Sequence, residues 1–339
     1  MNLFDAKYSR YALVQEMMET VQVVKNFDSS STENISRKIN SIGKLLLTGE
    51  GSSRIFPAKN SIRKSHNWGL NLHIVTEGAI QASHYNLSDF AVFCASNSGR
   101  TKEVISLADK LIKIDNKNRF ALTANNDSIL AKRCNEEFVL KCGWENAVAA
   151  TKSVVEQALF YESILWNISG NKFKNRLTEL SQMINYVLTM PIDKAIINSA
   201  LSSPIIYFAG YNDGVAEELT LKTNEITRKK SDFLEGTYAV HGIEEVLEEK
   251  DIIFVIDPIE EEVDKLQKVL VEGAGATVVA ISTNRTPFQT ILIPDAGEMN
   301  PYLFLCAGWN LLVEIGITAG INLDKPKRAR KVGNEVEVN

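Results

Sequence analysis

The chain has little of what metal centres and covalent cross-links are made from. Four cysteines, Cys94, Cys134, Cys142 and Cys306, and four histidines are spread over 339 residues. No two cysteines form a C-x-x-C pair and the histidines are too scattered for a ligand cluster. Reduced thiols, no metal and no cofactor are expected. Uninterrupted apolar runs stay short of the roughly 18 residues that a membrane span needs. Met1 is followed by an acidic and aromatic stretch, not by the basic-then-apolar pattern of a secretory signal. A soluble, cytoplasmic protein without membrane contact is the expectation. Positive charge is also in deficit, with 37 Lys and Arg against 42 Asp and Glu and a formal net charge of −5. Such a surface repels polyanions, nucleic acid included, so any anionic ligand must be held locally.

The 45% hydrophobic composition is enough for a sizeable core, and the length favours two domains. Residues 3–26 carry Tyr11, Val14, Met17, Met18, Val21 and Val24 at helical spacing, and "SSST" at 29–32 reads as the cap of a second helix. "KLLLTGEGSS" reads as a buried strand ending in a glycine corner, and 55–67 as a helix. "HIVTEG", "FAVFCAS", "RFALTAN" and "EEFVLKC" follow as short strands, with a helix over 101–114. Strands alternating with helices predict a mostly parallel sheet covered on both faces, an α/β/α fold. Residues 145–168 and 172–202 read as longer helices leading away from this unit.

The pattern then repeats. "IIYFAGYNDG" resembles "LLLTGEGSSR", "IIFVIDPIEE" resembles "AVFCASNSGR", and "TVVAISTN" resembles "RFALTAN". Gly210 follows Gly49 by 161 residues, Asp257 follows Ser96 by 161, and Asn284 follows Asn125 by 159. A near-constant shift over three strands predicts a duplicated α/β unit. The expected layout is a helical segment 1–40, a first domain 41–170, a helical linker 171–194, a second domain 195–320 and a tail 321–339. The copies differ in chemistry. The first carries Ser96-Asn97-Ser98-Gly99-Arg100-Thr101; the second carries Asp257-Pro258-Ile259-Glu260-Glu261-Glu262, whose carboxylates repel an anion.

A helix N-terminus offers unpaired N–H groups and a partial positive charge, so a phosphate can sit there without a cationic side chain. Ser96, Ser98 and Thr101 add neutral donors, Asn97 donates or accepts, and Gly99 lets the backbone come close. An ordinary Ser/Thr cap explains any one of these residues. A second small-residue corner, Gly49-Glu50-Gly51-Ser52-Ser53, one unit earlier tips the balance towards a phosphorylated ligand. Neither corner is a dinucleotide G-x-G-x-x-G or a G-K-[ST] phosphate loop.

"GEGSS", "SNSGRT" and "ENAVAATKS" together resemble the G-x-G-[ST]-S, S-x-S-G-x-T and E-x-x-V-A-[ST]-T-K motifs of the sugar isomerase (SIS) family. They resemble in particular the double-SIS isomerase part of the glucosamine-fructose-6-phosphate aminotransferases, from about residue 40 to the C-terminus and in the same order. The resemblance implies two tandem SIS domains. It assigns phosphate and sugar contacts to Ser53, Ser96, Asn97, Ser98 and Thr101, with Asn97 standing where the family has Gln, and backbone contacts to Val148 and Ala150. "EELTLKTNEIT" at 217–227 puts Glu218, Lys222 and Glu225 on one side of a helix. By spacing that is a solvated ion-pair face. By resemblance to the family's L-K-x-x-E, Glu225 moves a proton between C1 and C2 of an open-chain sugar and Lys222 supports it.

His241 falls in a loop resembling G-E-x-x-H-G-P, with one extra residue and Ile243 for the proline. The resemblance makes it the ring-opening histidine, acting in the site of a partner copy, and so implies a homodimer with shared sites. Five basic residues lie between Lys325 and Lys331. They are a solvated end by composition, but Asp324, Pro326 and Lys331 keep the register of the family tail D-x-P-x-x-L-A-K, whose lysine reaches the sugar.

The implied activity is aldose–ketose isomerisation of a sugar 6-phosphate. An amino sugar is favoured: glucosamine 6-phosphate and water giving fructose 6-phosphate and ammonia. The chain opens straight into its first helix with Met1-Asn2-Leu3, so no glutamine-hydrolysing domain is expected. A deglycase of fructosamine 6-phosphates and a neutral hexose-6-phosphate isomerase remain open alternatives. So does a non-catalytic sugar-phosphate sensor, although no helix-turn-helix segment is present to couple one to DNA.

Overall fold

Strands that are apolar at every position need cover on both faces, which is the condition of a parallel sheet between helices. The computed structural model describes residues 1–170, 176–328 and 335–336, and it meets that condition twice. In the first sheet β1 (Lys44–Gly49), β2 (His73–Gly78), β3 (Ala91–Ala95), β4 (Arg119–Thr123) and β5 (Glu136–Val139) run in the order β2-β1-β3-β4-β5, every pairing parallel. In the second, β6 (Ile205–Gly210), β7 (Lys230–Glu235), β8 (Ile252–Ile256), β9 (Thr277–Ser282) and β10 (Gln289–Leu292) run β10-β9-β8-β6-β7, again all parallel. Read from the other edge this is the same order. The central strands β3 and β8 are buried throughout, whereas the edge strands β5 and β10 are short and partly exposed, as unpaired edges require.

One compact unit contains the first sheet and comprises Gln22–Glu145, Ala150–Glu179 and the described part of Ala329–Asn339. The other contains the second sheet and comprises Met1–Val21, Asn146–Ala149 and Leu180–Arg328. The chain therefore passes between them after Val21, on either side of Asn146–Ala149, after Glu179 and after Arg328.

Several helices differ from the sequence-based expectation. "SSST" is itself a 3-10 turn capped by the Asp28 side chain, and the helix proper is Glu33–Ile42. The expected helix over 145–168 begins only at Lys152, because the Glu16 and Glu145 carboxylates take up N–H groups of the irregular, bent stretch before it. Its Phe160, Tyr161, Ile164 and Leu165 pack into the first sheet's core, so it covers that sheet and does not lead away from it. The expected helix over 172–202 is two helices, Leu177–Thr189 and Lys194–Ser202, broken at Pro191, with Asp193 capping the second; proline cannot continue the ladder.

The helix Gly297–Thr318 is long and apolar enough to cross a membrane, yet 83% of an 18-residue window of it is buried within the protein. It packs on the helix Val215–Thr227, and the contact is made possible by Gly308: a Cβ there would lie 2.3 Å from Leu219 Cδ2. Gly308→Ala is therefore expected to destabilise the protein by about 1–3 kcal/mol despite alanine's better helix propensity. In urea unfolding, Gly308→Ala combined with Leu219→Ala should lose less than the two single losses added together. Strict additivity would contradict the close approach.

Candidate active site

Parallel pairing of Thr48 with Cys94 brings the carboxyl ends of β1 and β3 side by side. In the order β2-β1-β3-β4-β5 this is the place where the chain's winding reverses, and open α/β sheets bind ligands in the crevice that results. Both small-residue corners emerge there. After β1, Gly51–Ser53 forms a 3-10 turn with Ser53 half-buried. The Glu50 carboxylate before it accepts from the Ala79 N–H at 2.9 Å and so ties the corner to the end of β2. Partial burial pushes the Glu50 carboxyl upward, the Ala79 N–H opposes this, and the Glu103 carboxylate adds to it.

After β3, Ser96 Oγ and Thr101 Oγ1 lie 2.7 Å apart, and Ser98 Oγ accepts from the Arg100 N–H at 3.3 Å. The carbonyls of Asn97, Ser98 and Gly99 accept from the Ala124 N–H, Asn125 Nδ2 and the Leu130 N–H. The loop after β4 thus occupies the corner's acceptors and fixes its course. Gly99 has φ +66°, and a Cβ there would fall 2.3 Å from Ser128 Cβ, so only glycine makes this turn. Thr101 caps the helix Lys102–Lys113 by position alone, its hydroxyl being engaged with Ser96. The corner therefore presents neutral hydroxyls and a helix start that no side chain caps. Glu335 makes an isolated antiparallel bridge with Thr101, and the Val336 N–H donates to Arg100 O at 2.9 Å, so these two residues lie alongside this corner.

Glu145 is a residue that sequence reading passed over, although it opens the quoted "ENAVAATKS". Its fully buried carboxylate accepts from the Thr151 N–H (2.7 Å), Thr151 Oγ1 (3.1 Å), Ser153 Oγ (2.5 Å) and Asn97 Nδ2 (3.4 Å). It caps the helix Lys152–Ser169 and links the third motif to the second. In the bend that follows, Ala147 and Ala149 are buried while Val148 and Ala150 are half-buried.

In the other unit, the helix Val215–Thr227 follows β6. Lys222 is fully buried, with Nζ 3.1 Å from Glu218 Oε1 and 2.9 Å from Glu225 Oε2. Burial alone pushes the ammonium's pKa down, but the Glu218 and Glu225 carboxylates outweigh it and hold it above the ordinary lysine range. Glu218 is wholly buried; the Glu225 side chain keeps 23% of its surface exposed. Spacing alone had suggested a solvated face. The structure shows instead a buried ion triad with one accessible carboxylate.

His241 lies on an exposed turn beyond β7, its Nε2 3.1 Å from Lys265 Nζ; its ring partner is thus neither Lys222 nor Glu225. Lys331 lies outside the described residues. In the second sheet, Asp257 takes φ +48° at the corner equivalent to Ser96, and Glu260–Glu262 form the turn that follows. Among the described residues no group of three or more His, Cys, Asp or Glu could hold a metal ion.

The fold is shared with solved structures of a glucosamine-fructose-6-phosphate aminotransferase C-terminal domain, a glucosamine-6-phosphate deaminase and a ketose/aldose isomerase. No family model matches the chain. It is 25% identical over 317 residues to the glutamine–fructose-6-phosphate aminotransferase (isomerizing) of Sulfolobus acidocaldarius, covering 90% of this chain and 52% of that protein. The chain spans about half the length of the curated relatives it matches. Among solved structures, glucosamine-6-phosphate deaminase from Thermotoga maritima superposes with a TM-score of 0.73 at 21% identity, covering 94% of this chain and 98% of that one. Tagatose-6-phosphate ketose/aldose isomerase from Escherichia coli superposes with a TM-score of 0.75 at 15% identity, covering 96% and 99%.

Removing the Lys222 ammonium takes away the positive charge 3.1 Å from the buried Glu218 carboxylate. Lys222→Met is expected to cost about 3–5 kcal/mol in urea unfolding, and adding Glu218→Gln should recover much of that loss. A single-variant loss below about 1 kcal/mol, the range of surface pairs, would contradict a buried triad.

Proposed function

We propose that the chain interconverts an aldose 6-phosphate and a ketose 6-phosphate, with glucosamine 6-phosphate as the leading substrate, converted with water to fructose 6-phosphate and ammonia. The observation that carries this reading is the triad on the helix Val215–Thr227. A protein that only bound a sugar phosphate would need the hydroxyl corner but would have no use for a buried lysine matched to two carboxylates, one of them open to solvent.

Ser96, Ser98, Thr101 and the start of the helix Lys102–Lys113 are proposed to hold the phosphate, with Asn97 and Ser53 beside them and the backbone of Val148 and Ala150 against the sugar. Binding energy gathered at the phosphate is used at carbons remote from it, where it holds C1 and C2 against the base. Glu225 is the proposed base. It takes the proton α to the carbonyl and returns it to the neighbouring carbon through an enediol or enolamine, a contribution of about 10² to 10⁴ in rate. Glu218 has a part that sequence reading did not give it. Because Glu218 alone matches the charge of Lys222, Glu225 can become neutral by taking a proton without leaving a buried ammonium uncompensated.

His241 is proposed to assist ring opening in the site of a second copy of the chain, and Lys331 to reach the open-chain sugar. The likeness to an aminotransferase and the fold shared with a deaminase and a ketose/aldose isomerase support a phosphosugar substrate.

Incubation with glucosamine 6-phosphate in D₂O should yield ammonia, fructose 6-phosphate and deuterium at C1 or C2. Glu225→Gln should lose turnover and exchange while keeping ligand affinity. Full activity in that variant would remove Glu225 from its role. Ligand binding by the wild type with neither exchange nor ammonia would favour a sensor.

A further inference from the structure

The segment of "ENAVAATKS" that carries Val148 is braced by a buried carboxylate from far away in sequence. Glu16, only 4% exposed on the helix Ala12–Lys25, accepts from the Asn146 N–H and from the Ala147 N–H, the latter at 3.4 Å to Oε1 and 3.3 Å to Oε2. Peptide groups are planar, with N–H and C=O opposed. Two successive N–H groups directed at Glu16 therefore turn the carbonyls of Glu145 and Asn146 away from it and set the direction in which the chain continues to Val148. The helix that carries Glu16 is itself fixed. Asp324 accepts from the Ala12 and Leu13 N–H groups, each at 2.9 Å, and Glu16 follows Ala12 by one turn on the same side.

Resting on the sugar-phosphate reading above, we propose that Glu16 is a positioning residue for the sugar end of the ligand: it holds the backbone on which Val148 meets the sugar and has no part in holding the phosphate. A carboxylate suits this task because it accepts from both N–H groups at once. An amide keeps one acceptor and sets its NH₂ against the second N–H. The phosphate corner is held by bonds among Ser96, Ser98, Thr101 and the loop after β4, none of which involves Glu16.

The test compares fructose 6-phosphate with inorganic phosphate, binding of both being measured by calorimetry on the wild type, Glu16→Gln and Glu16→Ala. Thermal melts verify that each variant is folded. In Glu16→Ala the affinity for fructose 6-phosphate should fall about tenfold, the equivalent of one lost hydrogen-bonding contact, and in Glu16→Gln by less. The affinity for inorganic phosphate should stay within about twofold in both. A purely structural role would change both ligands together, so the ratio of the two affinities is the discriminating quantity. Equal weakening of both ligands, or an unchanged ratio in a folded Glu16→Gln when Glu16→Ala fails to fold, overturns the inference alone. A wild type that binds phosphate but no sugar phosphate overturns the functional reading on which it rests, before any substitution is made.

Discussion

A helix begins where β3 ends, and no side chain caps its first turn. Gly99 makes the turn because its left-handed backbone and its closeness to Ser128 leave no room for a side chain. The loop after β4 occupies the corner's carbonyls, and Thr101, which could have capped the helix, is engaged with Ser96. The result is a cluster of neutral donors at the positive end of a helix dipole, in a protein whose overall charge is negative. A dianion placed there would be held by oriented dipoles and not by net charge, which would keep the attraction local.

The two sheets share an order but differ in chemistry. At the corner of the second, a non-glycine residue in the left-handed region is followed by three consecutive glutamates, which disfavour an anion. The helix after β6, by contrast, buries a lysine between two carboxylates, a costly arrangement justified when one of them must change its charge. Sheet order is set by apolar patterning, which both sheets keep. The residues at the strand ends contribute little to the core and are free to differ, so sheets of one order carry small hydroxyl residues after β3 and an ionisable cluster after β6.

Much of this was legible in the sequence. Eight of the ten strands among the described residues follow from short apolar runs, whereas β7 and β10, at the edges of the second sheet, carry too little apolar patterning to be read; the hydroxyl corner was visible because so many small donors rarely meet at a strand-to-helix junction. What sequence reading missed depends on contacts distant along the chain. Glu145 and Glu16 look like ordinary acids until their carboxylates are seen capping backbone N–H groups. The late start of the helix Lys152–Ser169 has the same origin, since periodicity continues through 145–151 while side-chain bonds hold N–H groups of that stretch out of the helix. Lys222 was misjudged by spacing because i,i+3 and i,i+4 pairs look alike whether the helix face is wet or dry; burial by the helix Gly297–Thr318 decides it.

The most direct measurement of the central claim is thermal protection. Melting curves of the wild type and Ser98→Ala, each with and without inorganic phosphate and fructose 6-phosphate, compare ligand binding at the corner with the loss of one of its donors. Both ligands are expected to raise the wild-type melting temperature, with clearly smaller increases in Ser98→Ala. Melting temperatures that neither ligand moves, or that move equally in the two proteins, would contradict a phosphate site at this corner.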